Sequence, residues 1–120
     1  MATIQQVAEA FATHRYSEVY PFLHPQVTWT LVGAARLQGR DEVVVACEGA
    51  LERMARSSKQ FLRFKTIASA DAVVVDAVTR YVDQLWQSSF ISSCDILEFT
   101  QGNLTAITSY TAAVDPDTLD

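Results

Sequence analysis

Residues 72–114 read AVVVDAVTRYVDQLWQSSFISSCDILEFTQGNLTAITSYTAAV, and this run decides the fold class. Three blocks in it, 73–82, 86–99 and 104–114, are rich in β-branched and aromatic side chains, which favour extended backbone over helix. The breaks between them are short. Asp83-Gln84 suits a turn, and Gln101-Gly102-Asn103 supplies the residue types that reach the positive φ a tight hairpin requires. A meander of three long antiparallel strands follows. Asp95 stands inside the middle strand among apolar neighbours, so if it faces a pocket its carboxylate is a candidate for acid–base chemistry.

Toward the N-terminus, residues 60–69 alternate Phe61, Arg63 and Lys65 against Leu62, Phe64 and Thr66, as a strand with one wet face does. Ala70-Asp71 turns the chain into the meander. Gly39-Arg40-Asp41-Glu42 sets acidic residues where a helix N-terminus favours them, and that helix is expected to reach Ser57. Its buried face is Val43, Val44, Cys47, Ala50, Leu51 and Met54. Residues 33–39, with two glycines, read as a loop, and 27–32 as a strand. Ile4, Val7, Ala8 and Phe11 recur at helical spacing over residues 3–13, and a second short helix is expected over 16–23, stopped by Pro25. The order α-α-β-α-β-β-β-β, with helices first and a meander last, is α+β.

A chain of 120 residues, 49% hydrophobic and 19% charged, is expected to form one domain over residues 1–120. The net charge of -5, with nine scattered basic residues, argues against a nucleic-acid partner and against an anionic membrane surface. The N-terminus carries no basic region with an apolar signal core, and no run reaches 18 apolar residues. The expectation is a cytoplasmic protein. Cys47 and Cys94 fit neither a redox motif nor zinc spacing and read as buried free thiols, and His14 and His24 lack partners at ligand spacing. No metal and no cofactor are expected.

The element order, with Leu23-His24-Pro25-Gln26-Val27-Thr28-Trp29, Leu37-Gln38-Gly39-Arg40-Asp41-Glu42-Val43 and Asp95-Ile96-Leu97-Glu98-Phe99-Thr100-Gln101-Gly102-Asn103-Leu104, resembles the NTF2-like superfamily, in particular its SnoaL-like branch. The resemblance implies a cone: N-terminal helices packed on a strongly curved mixed sheet that encloses a pocket. Its relatives include ketosteroid isomerases, polyketide cyclases, limonene-epoxide-type hydrolases and noncatalytic modules. Asp95 lies four positions before Phe99, as the oxyanion-stabilising carboxylic acid of the isomerases lies before a corresponding Phe. The isomerases' general base falls on Thr30 and their pocket Tyr at or near Phe11, so their standard chemistry is not expected. The hydrolases' Arg and two Asp fall on Asp76, Val78 and Ser109, so that set is absent.

Alternation puts Ile91, Ser93, Leu97 and Phe99 on the face of Asp95 and Cys94, Ile96 and Glu98 on the other. The resemblance adds Thr28, Thr30, Asp76, Val78, Arg80 and Ser109 to the cavity. The expected ligand pocket is therefore Phe11, Thr28, Thr30, Val78, Ser93, Leu97, Phe99 and Ser109, and the expected catalytic groups are Asp95, Arg80 and Asp76. Asp95 and Arg80 admit two readings: a buried ion pair that fixes strand register, or an anchor for a ligand carbonyl or hydroxyl with Asp95 held neutral. Trp29 and Trp86 read as packing or dimer-face aromatics. Two functions stay open: a cofactor-independent isomerase, cyclase or hydratase acting on an apolar ring compound, or a noncatalytic ligand-binding or dimerisation module. The apolar outward face of the sheet implies a homodimer.

Overall fold

In the computed structural model, which describes residues 2–119, helix α1 spans Ile4–Ala12 and helix α2 spans Arg40–Met54. A capping box starts α1: Thr3 Oγ1 accepts from the Gln6 amide at 3.1 Å while Gln6 Oε1 accepts from the Thr3 amide at 2.8 Å. Val7, Ala8, Ala10, Phe11 and Ala12 are its buried residues. The helix ends in a Schellman turn, with the Arg15 amide donating to Ala10 O and the His14 amide to Phe11 O. His14 occupies the left-handed position of that turn at φ +65°, a place usually taken by glycine. Gly39, at φ +89°, swings the chain into α2, and Gln38 donates its amide to Glu42 Oε1 in the first turn.

The second expected helix does not form. Residues 16–23 make two single 3₁₀ turns, Tyr16–Glu18 and Tyr20–Phe22, because Pro21 lacks an amide proton and cannot continue an α-helix. The expected loop at 33–39 contains a short strand, and α2 stops at Met54, short of Ser57, with Leu51 exposed instead of buried. Trp86 does not open a strand. It sits in the five-residue turn Asp83–Gln87 at φ +62°, 86% exposed, where Asp83 Oδ1 accepts from the Leu85 and Gln87 amides.

Six strands, β1 (Leu23–Leu31), β2 (Ala35–Gln38), β3 (Ser58–Ala68), β4 (Ala72–Val82), β5 (Ser88–Thr100) and β6 (Asn103–Ala113), form one sheet in the order β2-β1-β6-β5-β4-β3. All neighbours are antiparallel except β1 and β6, which are parallel. Register shifts in β1, β3 and between β5 and β6 mark irregularities that bend the sheet. Its concave face takes α1 against β4 and its neighbours β3 and β5, and α2 against β1.

Pairing fixes which residues share that face. Val73, Leu97 and Ile107 stand in one row across β4, β5 and β6, followed by Val75, Asp95 and Ser109, then Ala77, Ser93 and Thr111. The first row is fully or almost fully buried and joins Phe11, Val27, Trp29, Val43 and Cys47 in the core. Toward the open end the rows turn polar. That gradient, from dry core to polar rim, positions the site.

Candidate functional site

A cavity of about 280 Å³ opens between the end of α1, the end of α2 and the concave sheet. Phe11, Ala12, His14 and Tyr16 form one wall, and Trp29 and Leu31 of β1 another. Ala50, Arg53 and Met54 of α2 face Thr79, Tyr81, Ile91, Ser93, Asp95, Ser109 and Thr111 of the sheet. Phe11 packs edge-on against both Trp29, at 5.1 Å between ring centroids, and Tyr16, at 5.5 Å.

A hydrogen-bond chain ends at the carboxyl group. Trp29 Nε1 donates to Ser109 Oγ at 2.9 Å, and Ser109 Oγ donates to Asp95 Oδ1 at 2.6 Å. An indole N–H can only donate, so Ser109 must turn its own proton toward Asp95. Among the described residues, Asp95 Oδ2 has no hydrogen-bond partner. Burial raises the Asp95 pKa, and the Ser109 hydrogen bond opposes that rise without cancelling it. Asp95 is the one carboxylate among the lining residues. Tyr16 and Tyr81 are also raised, by burial first, with the Asp95 charge a further cause for both.

Across the cavity, Lys59 Nζ lies 2.7 Å from His14 Nδ1 and 3.0 Å from Thr13 O. Since a carbonyl only accepts, the ammonium donates to both, which leaves Nε2 as the protonated ring nitrogen. Burial, with the neighbouring Lys59 charge, lowers the His14 pKa to about 4, so the ring is neutral near pH 7. Among the described residues no three His, Cys, Asp or Glu side chains assemble into a metal-binding group. Burial pushes the Cys47 thiol up to about 12, with Glu48 adding to the rise, which suits a packing role over a reactive one.

The expected cluster of Asp95, Arg80 and Asp76 is not assembled. Val75, not Asp76, pairs with Asp95, so Asp76, Val78 and Arg80 fall on the opposite face of β4. There Asp76 accepts from Arg63 at 2.7 Å and Arg80 Nε donates to Ser88 Oγ at 3.1 Å. The buried Asp95–Arg80 ion pair is likewise absent. Thr28 and Thr30 also face outward, because β1 pairs Trp29 with Ile107 and Leu31 with Ser109. Phe11, Ser93 and Ser109 line the cavity with Asp95, whereas Leu97 and Phe99 are buried in the core beneath it.

Trp29, His14, Tyr16 and Tyr81 were missed as lining residues. The signal for two of them is in the strands: Val27, Trp29 and Leu31 alternate with Thr28 and Thr30, and Val73, Val75, Ala77 and Tyr81 with Asp76 and Arg80. The apolar set marks the inward face. Nothing local marks His14 or Tyr16, whose place depends on the turn after α1.

No protein-family model and no curated protein sequence matches the chain. Solved structures match it over most of its length. An NTF2-like protein of unknown function from Cytophaga hutchinsonii aligns at 24% identity and a TM-score of 0.78, covering 88% of this chain and 93% of that one. A candidate SnoaL-like polyketide cyclase from Jannaschia sp. CCS1 aligns at 13% identity and 0.70, covering 90% and 83%. An LEH-like epoxide hydrolase from M. tuberculosis aligns at 16% identity and 0.61, covering 87% and 75%. The fold is NTF2-like.

Proposed function

We propose that this NTF2-like chain binds an apolar ring compound in the Asp95 cavity without a cofactor, and that Asp95, as the neutral acid, donates a hydrogen bond from Oδ2 to a ligand carbonyl or hydroxyl. The observation that carries this reading is the one-sided engagement of the carboxyl group. Ser109 donates to Oδ1, and Oδ2 is left to the cavity. Phe11, Tyr16, Trp29 and Tyr81 line the cavity with Asp95, and an aromatic lining with a few polar groups suits a ring compound. A donor aimed at a carbonyl oxygen stabilises an enolate as charge develops on it, the α-proton passing to solvent because no second carboxylate lines the cavity, so isomerase, cyclase or hydratase chemistry is within its reach. The hydrolase and candidate cyclase among the structural neighbours support a small-molecule role by analogy only.

Binding without turnover is the second reading, favoured by the lack of another carboxylate among the lining residues. Titration with the neutral bicyclic ketone tetralone tests the first point: Asp95→Val is expected to weaken binding by about tenfold, the worth of one such hydrogen bond. Equal affinity of variant and wild type overturns the role of Asp95. Deuterium exchange at the ketone α-carbon then separates enzyme from binder, since a noncatalytic pocket leaves the exchange rate at the solvent value.

Two copies are proposed to pair through the outward face of the sheet. Both helices pack on the concave side, and Phe90, Ile96 and Tyr110 stand with Val74 on the other. Tyr110 is 48% exposed there. A second copy covering this patch removes apolar surface that monomers seldom leave contiguous.

A further inference from the structure

A second recess of about 240 Å³ adjoins the Asp95 cavity and shares His14, Met54 and Tyr81 with it. Lys59 lines this recess, and Arg53 lines the cavity beside it. No acidic side chain lines the recess. Neither Lys59 nor Arg53 makes a salt bridge among the described residues, although acidic residues outnumber basic ones, 14 to nine, in the chain. Asp83, the one acid lining the surface that Arg53 and Arg56 share, has Oδ1 committed to two turn amides. The result is a local positive end on an acidic molecule.

The imidazole adds a fixed donor to that end. Because Lys59 holds Nδ1, the Nε2–H is the ring's free donor, and the left-handed backbone at His14 sets the ring between cavity and recess. An anion is the complement of an ammonium, a guanidinium and an imidazole N–H. We infer that the natural ligand is a ring acid, whose apolar body fills the Asp95 cavity and whose carboxylate sits where the cavity meets the adjoining recess, with Lys59 on the recess side, Arg53 on the cavity side and His14 lining both. This rests on the ligand-pocket reading of Asp95 and adds the ligand's charge and its orientation: acceptor group toward Asp95, carboxylate toward Lys59.

The matched pair naphthoate and naphthamide tests it by calorimetric titration of the full chain, because the two share size and rings and differ in charge. Naphthoate is expected to bind wild type about tenfold tighter than naphthamide, and Lys59→Met to reduce that preference to about twofold or less. Arg53→Gln, on the exposed side of α2, gives a second measurement that does not disturb the His14 contact, with the preference expected to fall there too. Naphthamide binding as tightly as naphthoate overturns the inference and leaves the pocket reading standing. A naphthoate preference that survives both substitutions also overturns it. If neither compound binds at about 1 mM, the pocket reading falls, and this inference with it.

Discussion

At the scale of single residues, Asp95 and His14 titrate with opposite consequences for stability. Burial raises the folded pKa of Asp95, so its contribution favours the fold in acid and is lost as pH rises through that raised value. Asp95→Asn removes the loss while Oδ1 still accepts from Ser109. Melting temperatures measured from about pH 4 to pH 8 should shift in favour of the variant as pH rises, and a difference that stays constant contradicts the assignment. His14 is lowered from 6.5 to about 4, so its contribution is present above 6.5 and is lost as pH falls toward 4. His14→Asn keeps a residue that tolerates φ +65° and removes the titration. Its melting temperature should fall less than that of wild type across that interval, and an identical acid response refutes the burial of a neutral ring. Ser109→Ala probes the bond between these scales: with Trp29 Nε1 and Asp95 Oδ1 both left without partners, about 1–3 kcal/mol of stability is expected to go.

At the scale of elements, the β5–β6 hairpin shows how far local chemistry reaches. Gln101 and Gly102, at φ +51° and +81°, are the two central residues of the turn that closes the Thr100–Asn103 pair, the geometry of a type I′ turn. A methyl group on Gly102 meets nothing within 4 Å, so Gly102→Ala is charged only with the backbone penalty. That is about 1 kcal/mol, or roughly a 5 °C lower melting temperature; an unchanged melting temperature shows that the turn can relax. This turn was legible because it is written in neighbouring residues. The 3₁₀ turns at 16–22 were not read: the apolar periodicity points to a helix that ends at Pro25, and Pro21 inside it breaks that helix. Strand parity was harder. The resemblance put Asp76 and Arg80 on the cavity face of β4, whereas Val73, Val75, Ala77 and Thr79 are the buried residues of its inward face.

At the scale of the whole molecule, the proposed dimer makes the outward face of the sheet an interface, and light scattering at micromolar concentration is expected to give about twice the chain mass. Ile96→Lys, in the centre of that face, should return a folded single-chain species; a single-chain mass for wild type ends the proposal. The amino-acid sequence by itself determined the α+β class, the long strands, the tight hairpin and the presence of Asp95 on one face with Ser93, because period-two alternation and turn chemistry act between near neighbours. Only the tertiary structure decided which faces of β1 and β4 look inward, and so replaced Thr30, Asp76 and Arg80 by Trp29, Thr79 and Tyr81. It alone joined Trp29 to Ser109 across 80 positions and His14 to Lys59 across 45. The physical reason is register: sliding one strand by a single residue leaves its local pattern intact and exchanges every side chain between core and solvent, so the site exists only once β1, β6, β5 and β4 have paired.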